Sequence, residues 1–251
     1  MSAAGKTLLV TGGSRGIGAA TAVEAGKRGW RVAVNYANDE RAASDVVAQV
    51  EAAGSEAFPI RADIAREDET VSMFAAVDES WGRLDGLVNN AGVVNIPARV
   101  DEMSLERLTR MFAINITGTF LCAREAVKCM SLRHGGDGGT IVNVSSAAAL
   151  RGGSGQYVDY AATKGAIDTM TVGLAREVAA EGIRVNGVRP GIIDTDIHAS
   201  GGNPGRAAQM RDAIPIKREG SALEVAHAIH YLLSDEASYS TGAILDVTGG
   251  L

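Results

Sequence analysis

The sequence predicts an α/β fold, doubly wound in three layers around a seven-stranded parallel sheet. Three observations carry that expectation. Short apolar runs of strand length alternate with longer stretches whose apolar residues recur at helical spacing, almost from end to end. Those runs are mostly continuous rather than alternating, as in strands buried on both faces of a parallel sheet. Each is followed by a helical pattern, and right-handed crossovers then set helices on both sides of the sheet.

Taken in order, a first strand over 7–11 leads into a helix over 16–29. R-V-A-V-N at 31–35 is the second strand and 39–53 the second helix. Further strands are expected at 57–61, 84–89, 140–144, 183–189 and 244–247, and further helices at 67–81, 104–132, 157–181 and 221–233. No linker or composition shift divides the chain. The Gly-rich stretch 134–139 is short and ends at a strand, so residues 1–251 are expected to form one domain.

Composition narrows the function. With 46% apolar and 22% charged residues the chain is globular rather than disordered. Aromatics are 4%, so the core must come from Ala, Val, Ile and Leu. The 31 glycines cluster between apolar runs without a collagen period. Basic residues number 24 and acidic 30, interspersed for a net charge of −6, which disfavours a nucleic-acid partner. Residues 1–9 lack the pattern of a secretory signal, and no apolar run approaches the ~20 residues of a bilayer span. Cys122 and Cys129 suggest neither a disulfide framework nor a metal site. A cytoplasmic protein with reduced thiols is expected.

The first strand runs into T-G-G-S-R-G-I-G at 11–18, opening the first helix. Gly12, Gly16 and Gly18 allow a tight turn and close approach to a pyrophosphate, with the helix N-terminus supplying free N–H groups. Tyr160 and Lys164 stand four apart and share a helical face. An ammonium there favours the phenolate and would lower the tyrosine's pKa, letting it move a proton at a carbonyl or alcohol oxygen. Tyr157 has Ala161 at the fourth position after it, so it is read as a pocket-wall or helix-start residue.

These motifs, with N-N-A-G at 89–92, N-I-T-G at 115–118, Y-A-A-T-K at 160–164 and N-G-V-R-P-G-I-I-D-T at 186–195, resemble the short-chain dehydrogenase/reductase family in order and interval across nearly the whole chain. The resemblance implies a Rossmann-type domain and an NAD(P)-dependent oxidoreductase acting on CH–OH or C=O groups. It implies a catalytic set of Asn115, Ser146, Tyr160 and Lys164. Tyr160 is then the general acid/base, and Lys164 also bonds the nicotinamide ribose. Asn115 bends its helix and holds a water that links Lys164 to solvent. Ser146, the second serine of I-V-N-V-S-S, polarises the reacting oxygen, with Ser145 as the alternative because the loop over 151–155 is longer than usual.

For the cofactor, the resemblance implicates Gly12, Ser14, Arg15, Gly16, Ile17 and Gly18 in the loop. Asn35 and Tyr36 end the second strand, where an NAD site usually carries a carboxylate that is missing here. With Arg15 inside the loop, NADP is expected to be preferred and NAD possible; a merely solvated Arg15 would leave dual specificity. Asp63 and Ile64 would face the adenine. Asn89, Ala91 and Gly92 would line its ribose, although Asn89 also suits a purely sheet-stabilising role. Pro190, Gly191, Ile193 and Thr195 would meet the nicotinamide end, alongside Tyr160 and Lys164.

The segment 194–215 matches the family's substrate lid and carries His198, a candidate substrate contact. His227 and His230 sit three apart without a third metal ligand and suggest a surface or interface helix. The partners implied are a small carbonyl or alcohol and further copies of the chain, as a homotetramer or homodimer. A catalytically silent NADP-binding regulatory protein is the alternative.

Overall fold

The computed structural model describes residues 5–251, the side chain of His198 apart. Strands β1 (Thr7–Val10), β2 (Arg31–Tyr36), β3 (Ala57–Arg61), β4 (Gly86–Asn89), β5 (Gly139–Val144) and β6 (Ile183–Pro190) belong to one sheet. Two short strands, β7 (Ile193–Asp194) and β8 (Gly220–Ser221), make a separate ribbon, and β9 (Ile244–Val247) returns to the main sheet. That sheet has seven strands, all parallel, in the order β3-β2-β1-β4-β5-β6-β9. The order reverses between β1 and β4, and such a reversal opens a crevice at the carboxyl ends of the strands.

The helices are α1 (Gly16–Lys27), α2 (Glu40–Ala52), α3 (Glu67–Trp81), α4 (Leu105–Phe112), α5 (Thr119–Met130), α6 (Ala148–Arg151), α7 (Val158–Val178), α8 (Ile197–Ser200), α9 (Arg206–Gln209) and α10 (Ala222–Leu233). Strand periodicity sorts the core into two layers. Leu8, Val10 and Val34 pack with α1, α2 and α10 through Ala22, Val46 and Ile229. Leu9, Leu87 and Ile141 face the other way, onto Phe74 of α3, Ala126 of α5 and Val178 of α7. Each such aliphatic side chain contributes about 1.5–3 kcal/mol by leaving water. Among the described residues no helix is long and apolar enough to cross a membrane.

The expected elements are all present, with three differences. The single helix expected over 104–132 is divided: a π-helical turn, Ala113–Gly118, separates α4 from α5. Asn115 lies inside it, and its side-chain amide is bonded to the backbone of Val93 rather than facing solvent. Gly118 permits the close pass beneath, since a Cβ there would stand 2.7 Å from Ile64 Cγ1. The helix expected over 157–181 ends as α7 at Val178 and tightens into a 3₁₀ turn before Gly182, at φ +81°. The segment 194–215 is ordered into α8 and α9, too short and polar to show a period.

His230 is another correction: it is a buried packing residue, not a surface one. It is 2% exposed, and its Nε2 donates to the Thr21 carbonyl of α1 at 3.0 Å. Burial pushes its pKa down from 6.5 to about 4. The unfolded chain therefore binds a proton between those values that the folded protein refuses, so this contribution to stability is complete above pH 6.5 and is lost toward pH 4. Urea unfolding across that window is expected to lose about 3 kcal/mol in the wild type beyond the loss in His230→Gln. Parallel pH slopes in the two proteins would contradict it.

Candidate active site

The turn between β1 and α1 is built around glycine geometry. Gly12 and Gly16 have φ of +59° and +55°, a region that favours glycine. A Cβ on Gly18 would lie 2.3 Å from the Gly12 carbonyl oxygen and 2.5 Å from Asn90 Nδ2. The loop is clamped from β4: Asn90 Nδ2 donates to the carbonyls of Thr11 and Gly12 at 3.0 and 2.9 Å. Thr11 Oγ1 accepts from the Asn90 and Ala91 amides at 3.0 and 3.1 Å. This backbone turn, the cradle, opens a helix and fits a dinucleotide pyrophosphate. Ser14 is half-buried, and Arg15 is exposed and makes no ion pair among the described residues.

Several residues expected to meet the cofactor have partners within the fold. Asn35 is 2% exposed; its Oδ1 accepts from the Gly12 amide and its Nδ2 donates to the Ile60 and Ala62 carbonyls. With both ends of its amide engaged it braces the loop. Tyr36 is likewise packed in the core and Ile64 is buried against Gly118. Asp63 is half-buried and closes a turn by accepting from the Ala65 amide. Asn89 donates to Asn143 Oδ1 across β4 and β5, which is the sheet-stabilising role.

Beside the cradle opens a cleft of about 430 Å³. Ile17, Gly92, Pro190, Gly191, Ile193 and Thr195 line it, together with Ser146, Tyr160 and Lys164. Tyr160 and Lys164 come from one face of α7, and Ser146 from the turn after β5. Ser146 and Tyr160 thus line the same cleft. Ser145 is buried and donates to the Lys164 carbonyl at 3.2 Å, a purely structural bond.

Lys164 Nζ donates to the Val144 carbonyl at 2.7 Å and lies 5.7 Å from the centre of the Tyr160 ring. Burial lowers its pKa to about 8, against the charge of Asp168. For Tyr160, burial pushes the pKa above its ordinary value, and the Ser146 hydroxyl draws it back in part. The lowering expected from Lys164 is therefore corrected: desolvation dominates, and the ammonium is turned to a carbonyl. Asn115 is 1% exposed and approaches the pair: a Cβ on Gly92 would meet Asn115 Oδ1 at 3.4 Å and Lys164 Nζ at 3.6 Å.

Three features escaped the sequence reading. Asn90, inside the N-N-A-G motif, is the clamp on the cradle. Arg107 forms a buried ion pair with Asp159, Nε to Oδ2 2.7 Å, and donates to the Ile96 carbonyl, which pins the start of α7 to the loop before α4. Arg206 of α9 stacks over Tyr157, 5.2 Å from the ring centre, and both line the cleft. The last two join residues far apart in the chain and have no local signature. The side chain of His198 lies outside the described residues.

Comparison with known proteins gives a consistent answer. A family model described as enoyl-(acyl carrier protein) reductase matches residues 12–251. An uncharacterised oxidoreductase of Escherichia coli, YgfF, is 54% identical over 242 residues, covering 96% of this chain and 98% of its own. The 3-oxoacyl-(acyl-carrier-protein) reductase FabG of Staphylococcus epidermidis is 37% identical over 248 residues, 98% of each chain. Among solved structures, a short-chain dehydrogenase of Burkholderia cenocepacia in complex with NADP superposes with a TM-score of 0.91 at 34% identity, covering 100% of this chain and 99% of that one. A variant of a short-chain dehydrogenase/reductase of Serratia marcescens gives 0.91 at 36% identity, with coverage of 100% and 99%.

Proposed function

Given that this chain belongs to the short-chain dehydrogenase/reductase family of nicotinamide-dependent oxidoreductases, we propose that it is an NADP-preferring enzyme that interconverts a carbonyl and a secondary alcohol, with Tyr160 as general acid/base. The observation that carries this reading is the meeting of Ser146, Tyr160 and Lys164 in one cleft that opens beside the glycine cradle. The cradle at 12–18 would hold the pyrophosphate, and Gly191, Ile193 and Thr195 the nicotinamide end. When bound, the nicotinamide supplies or accepts a hydride.

The chain's own residues handle the oxygen and the proton. Ser146 donates a hydrogen bond to the substrate oxygen as negative charge develops there. Tyr160 gives up its phenolic proton to that oxygen in reduction and takes it back in oxidation. Burial keeps the phenol protonated through neutral pH, which suits reduction; oxidation then gains as pH rises. Lys164 is held by Val144 for the ribose, and Asn115 fixes the loop at Val93 beside it. The segment 194–215 acts as a substrate lid on one catalytic domain, supported by the lining of the cleft by Ile197, Gly201, Arg206 and Met210. Exposed Leu105, Phe112 and Phe120 on α4 and α5 support assembly into a homodimer or homotetramer.

The preference for NADP is supported by Arg15, which is exposed in the cradle loop and has no ion-pair partner among the described residues. It is tested by separate fluorescence titrations with NADPH and NADH. NADPH is expected to bind about tenfold tighter or better, with the advantage lost in Arg15→Gln, as for a charge-assisted bond to phosphate. Equal affinities in the wild type would contradict it.

A further inference from the structure

We propose that the cleft is built for an anionic substrate, a carbonyl or alcohol compound bearing a carboxylate or phosphate, which Arg151 and Arg206 recognise. The inference rests on the reductase reading and names its substrate class. Both arginines line the same cleft as Ser146 and Tyr160, and no Asp or Glu side chain lines it among the described residues. Neither arginine has an ion-pair partner among those residues. The arginines next along the chain differ: Arg211 is bound to Glu219 and Arg218 to Glu224. Those two are paired within the fold, whereas Arg151 and Arg206 line the cleft without such a partner among the described residues.

Both are also positioned. Arg151 ends α6, a single turn whose first amide, that of Ala148, donates to Ser146 Oγ at 3.1 Å. One turn spans about 5 Å, so the Arg151 backbone follows the serine closely, and its exposed side chain lines the same cleft. Gly152, at φ +74°, stops the helix there. Arg206 is half-buried, its guanidinium stacked on Tyr157, whose own amide donates to the Gly153 carbonyl at 2.8 Å. A guanidinium braced on an aromatic face keeps its N–H edge free for a planar anion. The reaction is then keto acid (or keto phosphate) plus NADPH and a proton giving the hydroxy anion and NADP: the carbonyl carbon gains hydride, and its oxygen gains the Tyr160 proton.

The test is a matched panel assayed with NADPH: acetoacetate, levulinate and 5-oxohexanoate, each beside its ethyl ester, and dihydroxyacetone phosphate beside dihydroxyacetone. In parallel, unreactive glutarate and inorganic phosphate are titrated into the NADPH-loaded protein. At one spacing or more, kcat/KM for the anion is expected to exceed that of its neutral partner by about tenfold or more. That ratio is expected to fall about tenfold in Arg151→Met/Arg206→Met and to recover in part with lysine at both sites. The carboxylate and phosphate arms show which anion is taken. Neutral partners used as well as anions at every spacing, or a ratio that survives in the double variant, overturns the inference and leaves the reductase reading standing. No hydride transfer to any carbonyl, with anion binding that needs both arginines, overturns the reductase reading and keeps the anion site. Neither transfer nor anion binding overturns both.

Discussion

Tyr160→Phe is expected to lower kcat/KM for carbonyl reduction by about 10²–10⁴-fold, the range for loss of a positioned general acid. The substitution removes one oxygen and keeps the ring, so the Lys164–Val144 bond and the walls of the cleft persist. NADPH binding is therefore retained, and the loss falls on kcat rather than on cofactor affinity. Ser146→Ala is expected to act in the same direction but less strongly, because it removes a donor to the oxygen and leaves the proton source in place. A Phe variant with normal turnover would show that the proton comes from elsewhere.

Gly18→Val is expected to produce the complementary phenotype, a loss of NADPH affinity of about 100-fold or more. The Cβ alone would stand 2.3 Å from the Gly12 carbonyl and 2.5 Å from Asn90 Nδ2, so the clamp and the turn must both move. A displacement of that kind in a packed region costs about 1–3 kcal/mol of stability. It strikes the backbone groups proposed to meet the pyrophosphate. Urea unfolding and fluorescence titration separate the two effects: the variant should fold and fail to bind. Wild-type affinity in a folded Gly18→Val protein would place the cofactor elsewhere.

Much of this was legible in the sequence, for reasons that differ by residue. Leu8–Leu9–Val10 reads as a buried strand because both faces of a parallel sheet are covered. The glycine turn reads as a cradle because each glycine answers a local steric demand. Periodicity does not show the division at 113–118, which depends on Asn115 reaching Val93 across the fold; only the resemblance implies a bend at Asn115. Ser145 and Ser146 are equivalent as letters, and the buried bond of Ser145 to the Lys164 carbonyl is what tells them apart. Asn35 was read as a ligand contact because polar residues at strand ends often are. Its burial under Gly12 is a tertiary fact, as is the pairing of His230 with Thr21. Arg206 on Tyr157 is of the same kind: two separate segments meet only once the chain is folded.

The central claim is that this cleft moves hydride between nicotinamide and a carbonyl carbon with Tyr160 supplying the proton. It is tested most directly by reducing the ketone panel with NADPH deuterated at the transferring C4 position and analysing the products by mass spectrometry and NMR. The account predicts one deuterium on the carbinol carbon in the wild type and the same labelled product, formed about 10²–10⁴-fold more slowly, in Tyr160→Phe. Bound NADPH that labels no product, or labelling whose rate is indifferent to Tyr160, would contradict it.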